Sequence, residues 1–320
     1  MRVKALEKEK RDKVIEAARM YYIFDYNQSV IAEKLGVSRP TVSRLLDTAK
    51  QEGIVEIKVV SPEEDIVAMT DKLQKKFGLK KVLIAHTPED DETKTKQYLG
   101  RLAAQYLNEI VQDGDIIGVT WGTTIHEVAK ELKPKSVSNV KVVQLKGGVS
   151  HSETNTYAGD ILYLFGQAYH TVPHHLPLPA IVDHVVVKQA MEADRYIRNI
   201  LELGRKANIA LSTIGPIKSE SLLFQLGYFS DEDLELIHEK AVGDISSRFF
   251  NEKGEICHSD LNLRTLGIEL EDLRSKDYSI LVAGGENKRS GIKGALNGQY
   301  VNVLVTDIHT ANHLLEEESL

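Results

Sequence analysis

Near its N-terminus the chain carries the sequence SRPTVSRLL, Ser38 to Leu46, directly after a Gly36-Val37 pair. Glycine at position 36 suits the left-handed residue that ends a helix. Ser38 is a favourable N-cap, and Pro40 is tolerated in the first turn of a helix, where its missing N–H has no partner to lose. Two short helices joined by a tight turn are therefore predicted, over Gln28 to Leu35 and from Ser38 onward.

The apolar residues of both segments recur at helical spacing, so each segment has one face to bury. They are Val30, Ile31 and Leu35 in the first segment and Val42, Leu45 and Leu46 in the second. This pattern is typical of a helix-turn-helix, whose second helix places polar side chains against base edges and phosphates of the major groove. The predicted DNA-contacting residues are Gln28, Ser38, Arg39, Pro40, Thr41, Ser43 and Arg44.

Charge is unevenly distributed along this chain of net charge −7. Lys and Arg outnumber Asp and Glu over residues 1–60, whereas acidic residues prevail in the rest. A basic head on an acidic body confines attraction for DNA phosphate to the head. This favours a DNA-binding unit over a plain helical hairpin with polar caps, the alternative interpretation of the same residues.

The length of 320 residues allows a small domain and a large one. We predict a helix-turn-helix domain over residues 1–60 and an effector-binding and oligomerisation domain over 61–320, with a linker helix at 61–78. A single cysteine, Cys257, excludes an intrachain disulfide and fits a reducing cytoplasm. No apolar run approaches the roughly 20 residues of a membrane span, so a cytoplasmic protein without membrane contact is expected.

Three further local features complete the head and the linker. A first helix is predicted over residues 8–24, and the alternating segment Ile54 to Val59 predicts a short strand or wing. Residues 63–77 present Ile66, Met69, Leu73 and Phe77 on one helix face. This helix is either the start of the second domain or a dimer contact, and we expect it to couple the two domains.

From about residue 80 onward, short apolar runs alternate with amphipathic helices. The runs lie at 82–85, 116–120, 140–145, 209–214, 279–283 and 301–305. Continuous apolar strands separated by helices indicate an α/β domain with a mainly parallel sheet, covered on both faces.

Three of these strands end in glycine-containing turns, at Gly122-Thr123-Thr124, Gly147-Gly148 and Gly284-Gly285. Glycine lets backbone N–H groups approach a ligand, and a helix start favours an anion. Lys288 and Arg289 follow the third turn. Together these turns predict a phosphorylated small ligand at the strand ends; no Gly-Lys-Ser/Thr follows at P-loop spacing, which argues against a nucleoside triphosphate.

Lys146 and Asp244 are the reactive candidates. Lys146 follows an apolar strand and either contacts phosphate as a point charge or forms a Schiff base with an aldehyde sugar, since burial lowers the pKa of an amine. Asp244 either accepts hydrogen bonds from sugar hydroxyls or caps the following segment, which Arg248 could hold to the pocket. No spacing of His, Cys, Asp and Glu fits a metal site, so neither metal nor cofactor is predicted.

These motifs together resemble the SorC family of bacterial sugar-responsive regulators. The resemblance spans nearly the whole chain and rests on Ser38 to Leu46, Gly118 to Thr124, Ala241 to Phe250 and Ile280 to Lys288. It implies an effector domain like the sugar-phosphate isomerases, with phosphate at Gly122-Thr123-Thr124. It also implies a repressor that assembles as dimers and tetramers on operator DNA and releases it on binding its inducer.

The stretch Val142 to Gly148, with Ser150-His151, resembles the branch of the family that controls deoxyribonucleoside breakdown in bacilli. That resemblance implies deoxyribose 5-phosphate as the effector; another phosphosugar is the alternative. One departure is a helix with two glycines, Gly291 and Gly294, which predicts a mobile rim beside Lys288. A sugar-phosphate isomerase or aldolase with a DNA-binding head is the enzymatic alternative, but no acid–base pair accompanies Lys146, so a non-enzymatic sensor is favoured.

Overall fold

Three helices pack together in the described part of the N-terminal unit, residues 2–57 of the computed structural model. They are α1 (Arg2–Tyr22), α2 (Gln28–Leu35) and α3 (Arg39–Gln51). Gly36 ends α2 with φ 65° and ψ 35°, and the Ser38 hydroxyl accepts the Thr41 N–H at 3.3 Å at the start of α3. The predicted helix-turn-helix is therefore confirmed down to its turn and its cap.

The apolar faces of these helices form one small core. Its buried side chains are Val14, Ala17, Ala18, Ile31, Val42, Leu45, Leu46 and Ala49. Ile54 and Val55 also pack on this core, and the Val55 N–H donates to the Ala49 carbonyl at 3.0 Å. Residues 54–57 therefore fold back on α3 and form no strand, contrary to the prediction, whose remaining residues, 58 and 59, lie outside the described part.

The structure describes residues 2–57, 64–88, 91–148 and 154–316. The chain divides into two units, residues 1–63 and 64–320. Six strands of the second unit form one sheet in the order β1-β8-β7-β4-β2-β3, in which every neighbouring pair is parallel. The strands are β1 (Lys81–Ala85), β2 (Ile116–Val119), β3 (Lys141–Gln144), β4 (Ile209–Ser212), β7 (Tyr278–Val282) and β8 (Val303–Asp307). This confirms the predicted parallel α/β domain.

Helices connect these strands and cover both faces of the sheet. They are α4 (Glu64–Phe77), α5 (Glu92–Ile110), α6 (Thr123–Glu131), α7 (Ala158–Ala168), α8 (Val185–Ala193), α9 (Arg195–Lys206), α10 (Asp231–Lys240), α11 (Ser259–Arg264), α12 (Leu270–Arg274), α13 (Arg289–Asn297) and α14 (Ile308–Glu316). Helix α4 packs on β1 and α14, and its Leu73 is fully buried. The predicted linker helix is thus an integral part of the second unit.

Alternate residues of each strand contribute to opposite cores. In β3, Val142 packs on one face of the sheet and Val143 on the other. In β4, Leu211 and Ala210 are divided in the same way. Burial on both faces explains why these strands are continuously apolar instead of alternating.

A separate two-stranded hairpin joins β5 (Gly243–Ile245) to β6 (Arg248–Phe250) through Ser246 and Ser247. Both serines have positive φ, 56° and 64°, as in a type I′ turn. Asp244 therefore lies in a strand and caps no helix, which corrects one of its two predicted roles. None of the described helices combines the length and apolar character needed to cross a lipid bilayer.

Candidate functional site

A cavity of about 260 Å³ lies beyond the carboxyl ends of β2, β3 and β4, with β5 along one side. The cavity is lined by the turn after β2, by Lys146 after β3 and by Thr213 after β4. The structure brings together six predicted effector-binding residues in its lining: Gly122, Thr123, Thr124, Lys146, Asp244 and Lys288. Parallel strands end at one edge of a sheet, so residues distant in sequence meet there.

Helix α6 begins at the cavity with its first N–H groups uncapped by any side chain. Gly122 precedes it with φ 138°, a conformation that L residues rarely adopt. Unpaired donors and the positive end of the helix dipole favour an anion at this point. This is the arrangement that the glycine-threonine turn predicted.

Lys288 reaches the same corner of the cavity from the turn before α13. Its Nζ lies 3.2 Å from Thr124 Oγ1 and 3.4 Å from Thr213 Oγ1. The side chain is only 8% exposed, and burial lowers the pKa of Lys288 to about 8, with the nearby Lys96 acting in the same direction. Glu92 and Asp244 oppose that shift. An anion bound here would stabilise the charged form of Lys288, which burial disfavours.

Lys146 also lines the cavity and is 5% exposed. Its Nζ is 3.6 Å from the centroid of the Trp121 ring and 3.4 Å from Ser247 Oγ. Burial lowers the pKa of Lys146 to about 8, against the opposing charge of Asp244. A substantial fraction of this amine is therefore neutral near physiological pH, the state needed for nucleophilic attack.

Asp244 is 3% exposed and lines the cavity beside these two amines. Its Oδ2 accepts the backbone N–H of Ser247 at 2.8 Å. Burial raises the pKa of Asp244, whereas Lys146, the Ser247 N–H and Lys288 lower it. Its backbone pairs with Gly215, where a Cβ would lie 1.9 Å from Asp244 Oδ1, so only glycine leaves room for the carboxylate.

The two glycines after Lys146 do not line this cavity. The N–H of Gly147 donates to the Leu266 carbonyl at 3.1 Å, and that of Gly148 donates to the Leu178 carbonyl at 2.8 Å. A Cβ on Gly147 would lie 1.9 Å from the Pro179 carbonyl oxygen. These glycines are needed for close packing, and the geometry does not support the predicted ligand contact.

Gly284 and Gly285 line an adjoining cavity of about 460 Å³ instead. The N–H of Gly285 is bound by Asp307 Oδ2 at 2.8 Å. The glycine pair of the third predicted turn therefore lies outside the smaller cavity. Lys288, which follows this turn, lines it.

Close packing also accounts for the two glycines of α13. A Cβ on Gly291 would lie 2.6 Å from Ile214 Cγ2, and one on Gly294 would lie 2.8 Å from the Asn251 carbonyl oxygen. These glycines therefore let α13 approach its neighbours closely, and the mobility of the rim stays a prediction. Arg248 is fully buried and binds Glu269 Oε1 at 2.8 Å and the Ile268 carbonyl at 2.8 Å, as a structural ion pair away from the cavity.

Thr213 and Ser247 are among the residues of this site that the sequence prediction missed. Thr213 directly follows β4, so the strand-end rule that selected the glycine turns could also have found it. Ser247 contacts Lys146 across 101 positions of sequence, and no local pattern indicates that approach. Among the described side chains, no group of three His, Cys, Asp or Glu could hold a metal ion.

The predicted DNA-contacting residues lie on the surface of the first unit. Arg39, Pro40 and Arg44 are exposed, and Gln28, Thr41 and Ser43 are half-buried. The Ser38 hydroxyl lies 2.8 Å from Thr41 Oγ1 in addition to its capping bond. The start of α3 thus presents two arginines and a hydroxyl-bearing face to the outside.

Comparison with known proteins agrees with both units. Residues 61–316 match the family described as "Putative sugar-binding domain", and residues 8–56 match "Homeodomain-like domain". The deoxyribonucleoside regulator of Bacillus subtilis (strain 168) is 51% identical over 312 residues, which cover 98% of this chain and 100% of that protein. The sorbitol operon regulator of Klebsiella pneumoniae is 31% identical over 95% of this chain and 97% of its own length.

The crystal structure of the full-length sorbitol operon regulator SorC from Klebsiella pneumoniae superimposes with a TM-score of 0.76 at 31% identity, covering 95% of this chain and 98% of that one. The matched relatives are transcriptional regulators and not enzymes. Since a helix-turn-helix unit is followed along the chain by a sugar-binding domain, and the relatives match over nearly the whole length, the chain belongs to the SorC family of transcriptional regulators.

Proposed function

We propose that this chain represses a deoxyribonucleoside catabolic operon and releases its DNA when deoxyribose 5-phosphate binds the 260 Å³ cavity. The observation that carries the proposal is the placement of two buried lysines, Lys146 and Lys288, in one cavity with an uncapped helix start. The similarity to a deoxyribonucleoside regulator supports the choice of sugar. A regulator works where the DNA is, so we infer a cytoplasmic location.

The phosphate group of the effector would bind at the start of α6. Backbone N–H groups there are complemented by the hydroxyls of Thr123 and Thr124 and by the Lys288 ammonium, which lies 3.2 Å from Thr124 Oγ1. A cavity of this size is smaller than the roughly 300–1,000 Å³ typical of drug-sized ligands. It suits a pentose phosphate.

The aldehyde of the open-chain sugar would meet Lys146. The neutral amine attacks the aldehyde carbon, the carbonyl oxygen takes up a proton, and loss of water leaves a C=N bond between Nζ and the sugar. Asp244 is placed to accept hydrogen bonds from sugar hydroxyls. No oxidant is required, and the protons taken up and released balance when water leaves.

This covalent step has a direct test in the intact mass of the protein. Incubation with deoxyribose 5-phosphate followed by borohydride should add the mass of one ligand less one oxygen atom to each chain. The adduct should be missing in Lys146→Ala and retained in Lys141→Ala, a matched control because Lys141 is exposed at the start of the same strand. A full-mass adduct in Lys146→Ala would contradict the assignment.

The same experiment also tests the alternative that the effector is another class of phosphosugar. A ketose phosphate could be held by the charge of Lys146 without an imine. In that case deoxyribose 5-phosphate leaves no adduct, and a panel of phosphosugars screened by thermal shift identifies the effector through the same phosphate contacts.

Repression would require a symmetric homo-oligomer, dimer or tetramer, that presents two heads to a two-fold operator. Within each head, Arg39, Thr41, Ser43 and Arg44 are our candidates for base and phosphate contacts. Release follows only if the inducer binds the weakly DNA-binding arrangement more tightly than the operator-bound one. Sedimentation with and without operator duplex measures the assembly.

A further inference from the structure

Two consecutive serines in left-handed backbone stand beside the reactive lysine. Ser246 and Ser247 have φ of 56° and 64°, and both are buried. A two-residue type I′ turn favours Asn-Gly, because most residues with a side chain are strained in left-handed backbone. Such conformations persist where surrounding structure enforces them, and they concentrate at functional sites.

Only one of the two serines is connected to the cavity residues. The Ser247 hydroxyl lies 3.4 Å from Lys146 Nζ, and the Ser247 N–H donates to Asp244 Oδ2 at 2.8 Å. The Ser246 hydroxyl is buried and has no hydrogen-bond partner among the described residues. The strained turn therefore brings one hydroxyl to the amine and ties that residue to the neighbouring carboxylate.

The amine is held from a second side by Trp121. Nζ lies 3.6 Å from the centroid of the indole ring, and the indole Nε1 donates to the Gly147 carbonyl at 2.7 Å. The ring is thus fixed by the residue that follows Lys146. A long, flexible side chain is confined between an aromatic face and a hydroxyl group.

We propose that Ser247 is the positioning residue for this amine: its hydroxyl accepts a hydrogen bond from Lys146 Nζ and aims the nitrogen lone pair at the aldehyde of the bound sugar. The inference rests on the proposed function of the cavity. Ser247 itself forms and breaks no covalent bond. The C–N bond forms at Lys146 as the carbonyl π bond opens, and water leaves from the sugar carbon.

The matched variants are Ser247→Gly and Ser246→Gly. Glycine removes the backbone strain at both positions, so neither variant should unfold. At saturating deoxyribose 5-phosphate and fixed pH, borohydride trapping at timed intervals should show imine formation slowed about tenfold or more in Ser247→Gly, because the amine is no longer oriented. Ser246→Gly should keep the wild-type rate, because it loses a hydroxyl without a partner.

A readout of binding alone separates positioning from damage to the site. The alcohol 2-deoxyribitol 5-phosphate has no aldehyde and forms no imine, so its affinity reports the phosphate and hydroxyl contacts. Both glycine variants should bind it as the wild type does.

The remaining outcomes contradict either the role of Ser247 or the imine itself. A wild-type rate in Ser247→Gly, equal slowing in Ser246→Gly, or a matching loss of affinity for the alcohol would overturn the role of Ser247. If the wild type forms no adduct, the imine of the proposed function fails, and this inference fails with it. An adduct in the wild type that Ser247→Gly leaves unaffected contradicts the positioning role alone.

Discussion

Lys146 and Lys288 are the two buried lysines that line the proposed effector cavity. Burying an ammonium group without a full set of partners disfavours its charged form, which is why both pKa values fall to about 8. The sequence predicted both lysines, since Lys146 closely follows an apolar strand and Lys288 follows a strand and its glycine turn. Their burial depends on tertiary contacts with Trp121, Ser247 and Thr213, which no local pattern reveals.

The lowered pKa of Lys146 predicts a specific pH profile for imine formation. The folded-state pKa, about 8, lies below the ordinary 10.5, so the neutral amine prevails above pH 8 and declines as pH falls below it. Trapping rates should rise ~tenfold per pH unit up to about pH 8 and then level off. Saturating ligand is needed, because Lys288 loses its charge over the same range.

A lysine in ordinary surroundings would behave differently. Its trapping rate would continue to rise past pH 9 without a plateau. That result would show that Lys146 is not the desolvated amine described above.

Substitution of Gly147 tests whether this glycine is needed for close packing. Gly147→Ala should lower the free energy of unfolding by several kcal/mol, about 2–4, because its Cβ would overlap the Pro179 carbonyl oxygen at 1.9 Å. Gly159→Ala in α7 is the control, since no atom lies within 4 Å of its Cβ position and alanine favours a helix. Urea denaturation measures both; equal stability of the two variants would contradict the packing argument.

Among the secondary-structure elements, the helix-turn-helix was the most fully predicted. Its turn and cap depend on residues within a few positions of each other, Gly36 and Ser38 above all. The strand predicted at Ile54 to Val59 was wrong over residues 54–57, because alternation of apolar residues also arises where a segment folds back on a helical core. The spacing of apolar residues alone does not distinguish a strand from a segment that packs on a helical core.

The cap of α3 gives a prediction at the level of a single element. Ser38→Ala should lower the stability of the first unit by about 1 kcal/mol, because the Thr41 N–H loses its acceptor. Ser43→Ala, inside α3, should leave stability unchanged or slightly raised while it weakens DNA binding. Thermal unfolding followed by circular dichroism, with DNA affinity measured in parallel, checks both. Equal loss of stability in the two variants would contradict the capping role.

Helix α4 was located correctly from the sequence, but the coupling role expected for it has no support from its packing. Its apolar face, including Leu73, is buried on β1 and α14. Polar substitution at Leu73 would therefore disturb folding of the second unit and is no clean test of coupling. The proposed coupling between ligand and DNA stays a prediction.

The parallel sheet of the second unit was predictable from the sequence, but its strand order was not. Continuous apolar runs identified six strands, since burial on both faces removes the alternating pattern. The order β1-β8-β7-β4-β2-β3 depends on which strands pair across long stretches of chain. The strand-end rule selected five residues that line the cavity, Gly122, Thr123, Thr124, Lys146 and Lys288, and also Gly147, Gly148, Gly284 and Gly285, which lie outside it.

The uneven charge of the molecule predicts how DNA binding responds to salt. Phosphate contacts from the basic head release counterions, so log affinity should fall linearly with log salt. If Arg39 or Arg44 contacts phosphate, its replacement by alanine should reduce the slope by about 1 and weaken all sequences alike. If the arginine contacts a base, the slope of log affinity against log salt should be unchanged, and the preference for one base pair should weaken. Neither change, for both arginines, would contradict the assigned DNA face.

Release of DNA by the effector would test control of DNA binding through the 260 Å³ cavity. A fluorescent duplex, enriched by this protein from a random-sequence library, is titrated with deoxyribose 5-phosphate while anisotropy is recorded, with deoxyribose lacking phosphate as the control. We expect the phosphorylated sugar to release the duplex and deoxyribose to leave it bound. A duplex that stays bound at concentrations where every chain carries the trapped adduct would contradict control of DNA binding through this cavity.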